Sequence, residues 1–159
     1  GIDDTDSIEG GATFALSLAL LQFLGGIKGV IPIDHHVAML NPEIPEKTAG
    51  NSCSFIELAI PPHRVDKVSE RAILFVEDEA LSPEWGVAVK QGFRIDPEFR
   101  AYGIKAREGR IDAGEAGSVA KRFSTDLYGG RGVTGALAAV ALAGLPNDIL
   151  LNPEWKIPS

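Results

Sequence analysis

Runs of apolar residues divide the chain into predicted helices and strands. The nearly continuous apolar run 12–24 contains good helix formers and stops at Gly25, which predicts a buried helix. A second nearly all-apolar helix is predicted at 133–142. Looser alternation at 29–40 and 52–60 predicts strands, because successive strand side chains point to opposite faces of a sheet.

The rest of the pattern extends the predicted order to strand, helix, strand, strand, helix, strand and then helices. Helical spacing is present from 65 to 76 before an acidic run, and from the Asp96-Pro97 start to about Arg107. A short strand is predicted at 85–89 and a further helix from about 115 to 127, with a strand or coil in the proline-containing tail. This order predicts an α/β fold in a single domain, 1–159, with helices packed on a mixed sheet.

The first residues look like the end of a strand. Gly1 and Ile2 precede a turn-forming aspartate cluster, and the sequence has no initiator methionine. We therefore expect the first strand to lack some of its residues.

A cluster of aspartates follows this strand end. Asp3, Asp4 and Asp6 lie within four positions, and carboxylates this close repel one another unless a cation or backbone N–H groups compensate. Carboxylate oxygens suit a hard metal such as magnesium. Ser7, Gly10 and Gly11 then lead into the first helix, whose unpaired N–H groups suit a phosphate. Metal and phosphate together point to a nucleotide, although the same residue types also form a plain turn and N-cap.

Two further loops carry candidate anion-binding residues. The turn-rich loop 41–51 contains Lys47, Thr48 and Asn51. A lysine there is able to reach a phosphate, but a solvated lysine is the ordinary alternative. The turn Gly130-Arg131-Gly132 precedes the second apolar helix and is either another anion site or a plain linker. If both apolar helices begin at one edge of the sheet, their N-termini converge on the same ligand.

The composition limits the kinds of binding partner that are expected for the chain. The chain is 45% hydrophobic and 23% charged, which is typical of a globular domain, and its net charge of −7 disfavours nucleic acid as a lone partner. The single cysteine, Cys53, excludes an internal disulfide and a cysteine-cluster zinc site, so an intracellular, cytoplasmic location is expected. The 12–24 run is too short to span a bilayer, so no membrane partner is expected. His35 and His36 are adjacent on a strand and are predicted to face opposite sides.

Three separated motifs resemble one family in the same order. They are GIDDTDS at 1–7, LNPEIPEKTAGN at 40–51 and GRGVTGALAA at 130–139. Together they resemble the kinase-like ATP domain of archaeal agmatidine synthetase, which modifies the wobble cytidine of an isoleucine tRNA with ATP and agmatine.

The resemblance implies roles for individual residues. Asp3, Asp4 and Asp6 match the carboxylates that handle magnesium and the ATP phosphates, and Thr13 matches a threonine that becomes phosphorylated. By the same resemblance, Lys47, Thr48 and Asn51 belong to the second ligand-binding motif and Arg131 to the third. RNA or another small substrate would then be supplied through other domains or subunits.

The sequence also departs from the family pattern. Ala12-Thr13-Phe14 stands where the family has a Cys-Thr-Thr run, and Ala49 stands where it has an arginine. These changes leave a second reading open, in which the chain is a non-catalytic nucleotide-binding or regulatory module. A third reading is a phosphatase with Asp4 as nucleophile and Asp6 as acid.

Overall fold

The computed structural model describes residues 1–5, 13–40, 52–109 and 111–152, apart from the side chain of Ala113. The strands are β1 (Ile2–Asp3), β2 (Ile31–Met39), β3 (Ser52–Ala59), β4 (Gly86–Val89) and β5 (Asp126–Gly129). The helices are α1 (Thr13–Gly25), α2 (Val65–Glu79), α3 (Pro97–Glu108), α4 (Ala113–Arg122), α5 (Val133–Ala141) and α6 (Asn147–Leu150). This architecture confirms the predicted α/β class.

The described strands form one five-stranded sheet in the order β2-β3-β1-β4-β5. Each of its described pairs is antiparallel, so the predicted mixed sheet is wrong in strand direction. Hydrophobic alternation reports which faces of a strand are buried, and it carries no information on whether the neighbouring strand runs up or down. The short strand β1 lies at the centre, between β3 and β4.

Apolar side chains pack on both faces of this sheet. On one face, Ile2 packs with side chains of α1 and α2 such as Leu20, Leu24 and Val76. On the other face, Cys53 and side chains of α3, α4, α5 and α6 form the larger core. Cys53 is fully buried, which raises the pKa of its thiol and makes it an inert core residue, as predicted. Layers of helices on both faces leave the strand ends as the places where loops converge.

The second half of the chain departs from the predicted elements. The helix predicted to reach about residue 127 ends at Arg122, and the residues after it form β5 along the edge of the sheet. Ser124 adopts a left-handed conformation with φ of 51°, which breaks the helix between the two elements. In the tail, a short helix, α6, replaces the predicted strand or coil over the described residues.

The first apolar helix is only partly buried. Leu20 and Leu24 are in the core, whereas Phe14 is 52% exposed and Leu18 is 41% exposed. Phe23 is 43% exposed and stacks on Phe75 of α2 with ring centroids 5.0 Å apart. The apolar composition of 12–24 therefore predicted the helix but overstated its burial.

Arg107 ties the end of β2 to the chain around α6. Its guanidinium is buried and donates hydrogen bonds to four carbonyl oxygens, which belong to Met39 (3.0 Å), Ile149 (2.7 Å), Leu150 (2.8 Å) and Asn152 (2.6 Å). Burial lowers the pKa of Arg107 from its ordinary value. A single side chain thus binds carbonyls from two distant segments, and its contact with the Leu150 carbonyl is fully buried.

Candidate functional site

The aspartate cluster begins at the end of the central strand. Asp3 pairs with Gly86 of β4, and its carboxylate lies against the first turn of α5. The approach is so close that a methyl group at Gly135 would come within 1.8 Å of Asp3 Oδ2. A helix N-terminus carries partial positive charge, which favours a carboxylate or a phosphate at this place. The third motif of the sequence therefore meets the first one at Asp3.

Glycines make this close approach possible. A methyl group at Gly86 would come within 2.1 Å of the carbonyl carbon of Gly132, and one at Gly132 would come within 2.8 Å of the carbonyl oxygen of Asp3. Backbone therefore packs directly on backbone, which only residues without a Cβ permit. This contact holds the start of α5 beside the end of β1.

The chain changes direction directly after β1. Asp4 has a φ of 54°, in the left-handed region that is uncommon for residues other than glycine, although Asp tolerates it better than most. Such a conformation costs about 1–3 kcal/mol and persists where the surroundings hold it. The neighbouring carbonyl of Thr5 accepts a hydrogen bond from the Leu81 N–H at 2.8 Å, which fixes the backbone after the turn.

Thr13 is the first residue of α1 and contacts the aspartate segment. The Thr5 hydroxyl donates to Thr13 Oγ1 at 3.1 Å, and both threonines are buried, with Thr13 only 5% exposed. The predicted convergence of the two apolar helices is therefore supported by two contacts, one from Thr5 to α1 and one from Asp3 to α5. Thr5 was missed as a site residue, although its place between Asp4 and Asp6 was a signal.

The glycine-rich turn before α5 has its backbone donors engaged within the protein. The N–H of Gly130 donates to the Trp85 carbonyl at 2.8 Å, and the N–H of Gly132 donates to the Glu84 carbonyl at 2.7 Å. The N–H of Arg131 donates to Glu84 Oε2 at 2.8 Å. In this arrangement, the exposed side chain of Arg131 is available to contact a ligand, whereas these backbone N–H groups of the turn are not. Glu84 was also missed by the sequence reasoning.

Several predicted site residues lie outside the described residues. They are Asp6, Ser7, Gly10 and Gly11 of the first motif and Lys47, Thr48 and Asn51 of the second. Within the described ranges, there is no group of three or more His, Cys, Asp or Glu side chains that could hold a metal ion. The aspartate cluster is represented there by Asp3 and Asp4.

The two adjacent histidines face opposite sides of β2, as predicted. His35 Nε2 lies 2.7 Å from Ser17 Oγ on α1, and His36 Nδ1 lies 2.9 Å from Asn147 Oδ1 on α6. Because Ser17 also donates to the Phe14 carbonyl at 2.9 Å, its oxygen accepts the proton of His35 Nε2. The pair therefore helps to position α1 and α6 and does not form a shared ligand site.

Protein stability is expected to fall as the pH decreases through about 6.5, in part because of His35. Burial lowers the pKa of His35 from 6.5, the neighbouring His36 lowers it further, and Asp34 partly offsets both effects. As the pH falls, the unfolded chain therefore binds this proton before the folded chain does. The loss of stability begins near the pKa of the unfolded chain and increases until the pH reaches the pKa of the folded chain. Urea unfolding from pH 7.5 to 5 should show a smaller loss in His35→Gln, which keeps a hydrogen-bond donor. An equal loss in both proteins would contradict this assignment.

The family model for the TiaS TCKD domain matches residues 1–121 of this chain. The match covers more than half of the chain and includes Asp3, Asp4 and Thr13. The chain belongs to the TiaS TCKD domain family. The resemblance predicted from the three motifs is thereby confirmed.

Relatives of this TCKD domain chain include longer proteins. The chain is 29% identical over 156 residues to the uncharacterized protein MJ0921 of Methanocaldococcus jannaschii, covering 97% of the chain and 51% of that protein. It is 30% identical over 149 residues to the tRNA(Ile2) 2-agmatinylcytidine synthetase TiaS of Pyrococcus horikoshii, covering 88% of the chain and 34% of that protein. The chain thus spans about half of one relative and about a third of the other.

A solved structure agrees with the fold of this TCKD domain chain. The crystal structure of the TiaS-tRNA(Ile2)-ATP complex matches with a TM-score of 0.76 and 27% identity, covering 88% of this chain and 34% of that one. Among the helices that the structure describes here, none is long and apolar enough to cross a membrane.

Proposed function

We propose that this chain is a single kinase-like ATP-binding domain of the agmatidine synthetase type, which transfers a phosphoryl group with magnesium. One observation carries the proposal: the Asp3 carboxylate, at the end of the central strand, lies on the first turn of α5. Carboxylates that hold a metal and a helix N-terminus that attracts anions are the two features that a nucleoside triphosphate needs. The related TiaS structure is a complex with tRNA(Ile2) and ATP, which supports the choice of nucleotide.

Magnesium fits the chemistry of the donors at the end of β1. Asp3 and Asp4 supply hard carboxylate oxygens, and both are partly exposed, so a hydrated ion has access to them. Asp6, from the same motif, would be the third carboxylate. When bound, magnesium neutralises phosphate charge and orients the group that is transferred. Ser7, Gly10 and Gly11 would then line the phosphates.

Thr13 is the proposed acceptor in this scheme. Its Oγ1 would form a bond with the terminal phosphorus while the bond from that phosphorus to the bridging oxygen breaks, so that ADP leaves and an aspartate takes the hydroxyl proton. Thr5 positions this hydroxyl through the 3.1 Å contact. Since Thr13 is buried, transfer requires that this contact open. Arg131, with Lys47, Thr48 and Asn51 of the second motif, would stabilise the developing charge.

The final substrate of the domain is supplied from elsewhere in this proposal. Curated TiaS relatives are named as tRNA(Ile2) 2-agmatinylcytidine synthetases, and the chain covers 34% of the Pyrococcus horikoshii protein. The net charge of −7 gives this chain little attraction of its own for a phosphate backbone. RNA or a second small substrate would therefore reach the site through other domains or subunits. The match to MJ0921, of which the chain covers 51%, is consistent with the domain serving more than one longer protein.

A second candidate function is a nucleotide-binding module without turnover. The burial of Thr13 and its contact with Thr5 favour it, because a hydroxyl that stays buried does not react. Both functions predict ATP binding at the aspartates, and they differ in whether a phosphoryl group is transferred.

The chain is expected to label itself when incubated with magnesium and ATP that carries a labelled terminal phosphate. Mass spectrometry should place the label on Thr13, and both Asp4→Asn and Thr13→Ala should reduce it at least tenfold, since one removes a metal ligand and the other the acceptor. Ser118→Ala serves as a matched control, because its hydroxyl lies on α4, away from the proposed site, and donates to the Gly114 carbonyl at 3.1 Å.

Each outcome separates the candidate functions. A melting temperature that ATP raises in the unsubstituted chain but not in Asp4→Asn, without any label, would leave the nucleotide-binding module. The absence of both label and stabilisation would refute a nucleotide site in this chain. Phosphate release from simple phosphomonoesters without ATP would instead support the aspartate phosphatase.

A further inference from the structure

The loop that leads into β4 holds the turn that precedes α5. The Glu84 carbonyl accepts the Gly132 N–H at 2.7 Å, and the Trp85 carbonyl accepts the Gly130 N–H at 2.8 Å. Between these two contacts, Oε2 of the Glu84 carboxylate accepts the Arg131 N–H at 2.8 Å. Two neighbouring residues therefore bind three successive N–H groups, and a charged side chain binds the middle one.

The contact between Glu84 and Arg131 is the strongest kind of the three. A hydrogen bond to an ionised acceptor is roughly twice as strong as one between neutral groups. Glu84 is half-buried, and its own N–H donates to Ser82 Oγ at 3.1 Å, which fixes the residue within the loop. A methyl group at Gly130 would come within 2.8 Å of Glu84 Oε2 and 3.2 Å of Glu84 Cα. The glutamate therefore lies tightly against the turn.

This arrangement leaves the guanidinium of Arg131 unpaired. Glu84 binds the backbone N–H of Arg131, and in the described ranges no ion pair involves the exposed guanidinium. A carboxylate bound to the guanidinium itself would occupy the donors that recognise a phosphate. Glu84 thus fixes the backbone from which the arginine side chain extends, while the donors of that side chain stay open to a ligand.

We propose that Glu84 is a positioning residue of the nucleotide site, which holds the Arg131 backbone so that the guanidinium contacts the phosphates. This inference rests on the proposed function, in which Arg131 acts on the phosphates. The turn also lies beside the aspartate segment. A methyl group at Gly132 would come within 2.7 Å of the Glu84 carbonyl oxygen and 2.8 Å of the Asp3 carbonyl oxygen. The turn that Glu84 holds therefore lies against the end of the central strand.

The affinity for ATP with magnesium tests this assignment, because both candidate functions predict binding. Glu84→Ala removes the side-chain acceptor and keeps the backbone carbonyl contacts of the loop, so the chain should fold. Its dissociation constant for ATP, measured by titration calorimetry, should rise on the order of tenfold, the effect of one charge-assisted hydrogen bond. Glu84→Gln keeps an oxygen acceptor and should stay within about threefold of the unsubstituted chain. Glu70→Ala removes an exposed glutamate of α2, on the face away from α5, and should bind normally.

A double substitution shows whether Glu84 acts through Arg131. Glu84→Ala combined with Arg131→Ala should weaken binding no more than Arg131→Ala does alone. Additive losses would overturn the proposal, because Glu84 would then act on the ligand directly or on the fold. Equal losses in Glu84→Gln and Glu84→Ala would also overturn it, since the charge and not the hydrogen bond would matter. Tighter binding in Glu84→Ala would show that the carboxylate competes with the ligand.

Hydrogen exchange separates a failure of this inference from a failure of the proposed function. Without ATP, the Arg131 amide should exchange about tenfold faster in Glu84→Ala than in the unsubstituted chain, and at nearly the normal rate in Glu84→Gln. An unchanged rate in Glu84→Ala would refute the positioning role even where ATP binds. If the amide responds as expected but the unsubstituted chain binds no ATP, the proposed function fails and this inference fails with it.

Discussion

Gly86→Ala is expected to destabilise the folded chain by about 3 kcal/mol, close to the upper end for overpacking of a core. The added methyl group would come within 2.1 Å of the Gly132 carbonyl carbon and 2.2 Å of the Val133 nitrogen. Both contacts are with backbone, so no side-chain rotation relieves them. Either α5 must move away from the sheet or β4 must bend, and both lose packing in the core.

Gly117→Ala is the matched control for this substitution. Gly117 lies inside α4, and no atom lies within 4 Å of the position that its methyl group would take. Alanine is favoured over glycine in a helix by about 0.5–1 kcal/mol, so the control should be slightly more stable than the unsubstituted chain. Urea unfolding monitored by circular dichroism measures both. A loss below about 1 kcal/mol in Gly86→Ala, the lower end for overpacking, would contradict the tight packing of α5 on β4.

The pattern of apolar residues predicted the parts of the fold that depend on local periodicity. The predicted strand at 52–60 agrees with β3, and the predicted helix at 133–142 agrees with α5. The edge strand β5 was missed because it has only four residues, three of them exposed, and its stability comes from pairing with β4. A local sequence pattern does not predict which distant segments pair with each other.

The candidate site was predictable in its residues and less so in its contacts. The sequence predicted Asp3 and the start of α5 as two separate site elements, because clustered carboxylates and a glycine-rich helix start are local signals. It did not predict that Glu84 and Trp85 would engage the backbone donors before α5. That contact depends on the β4 ladder, which places a loop beside the turn, and no spacing in the sequence reports it.

The glycines at the site are expected to divide into two classes. Gly86 and Gly132 face backbone atoms, so substitutions there act on the fold. Gly135 faces the side chain of Asp3, whose carboxylate is able to rotate, while the Asp3 Cβ at 3.1 Å has to shift only slightly. A methyl group at Gly135 should therefore change the position of a functional group more than it changes stability.

Gly135→Ala is accordingly expected to reduce ATP-dependent labelling of Thr13 by about 100-fold, since a displacement of a catalytic group by about 1 Å has effects of that size. The methyl group would come within 1.8 Å of Asp3 Oδ2 and 2.7 Å of Asp3 Cγ, so the carboxylate must leave the first turn of α5. The stability loss should stay near ~1 kcal/mol, because the gain in helix propensity offsets part of the crowding. Initial labelling rates and urea unfolding measure the two effects.

Asp3→Asn and Gly117→Ala make this prediction specific to the carboxylate. Asp3→Asn keeps the shape of the side chain but removes its charge, and it leaves Gly135 unchanged. Its labelling rate should be as low as that of Gly135→Ala. Gly117→Ala adds the same methyl group to a helix position with open space around it and should label at the normal rate. If Gly135→Ala labelled at the normal rate while Asp3→Asn did not, labelling would depend on the charge of Asp3 but not on the contact of its carboxylate with α5. The first turn of α5 would then have to be removed from the proposed site, because the contact that carries the proposal would be dispensable.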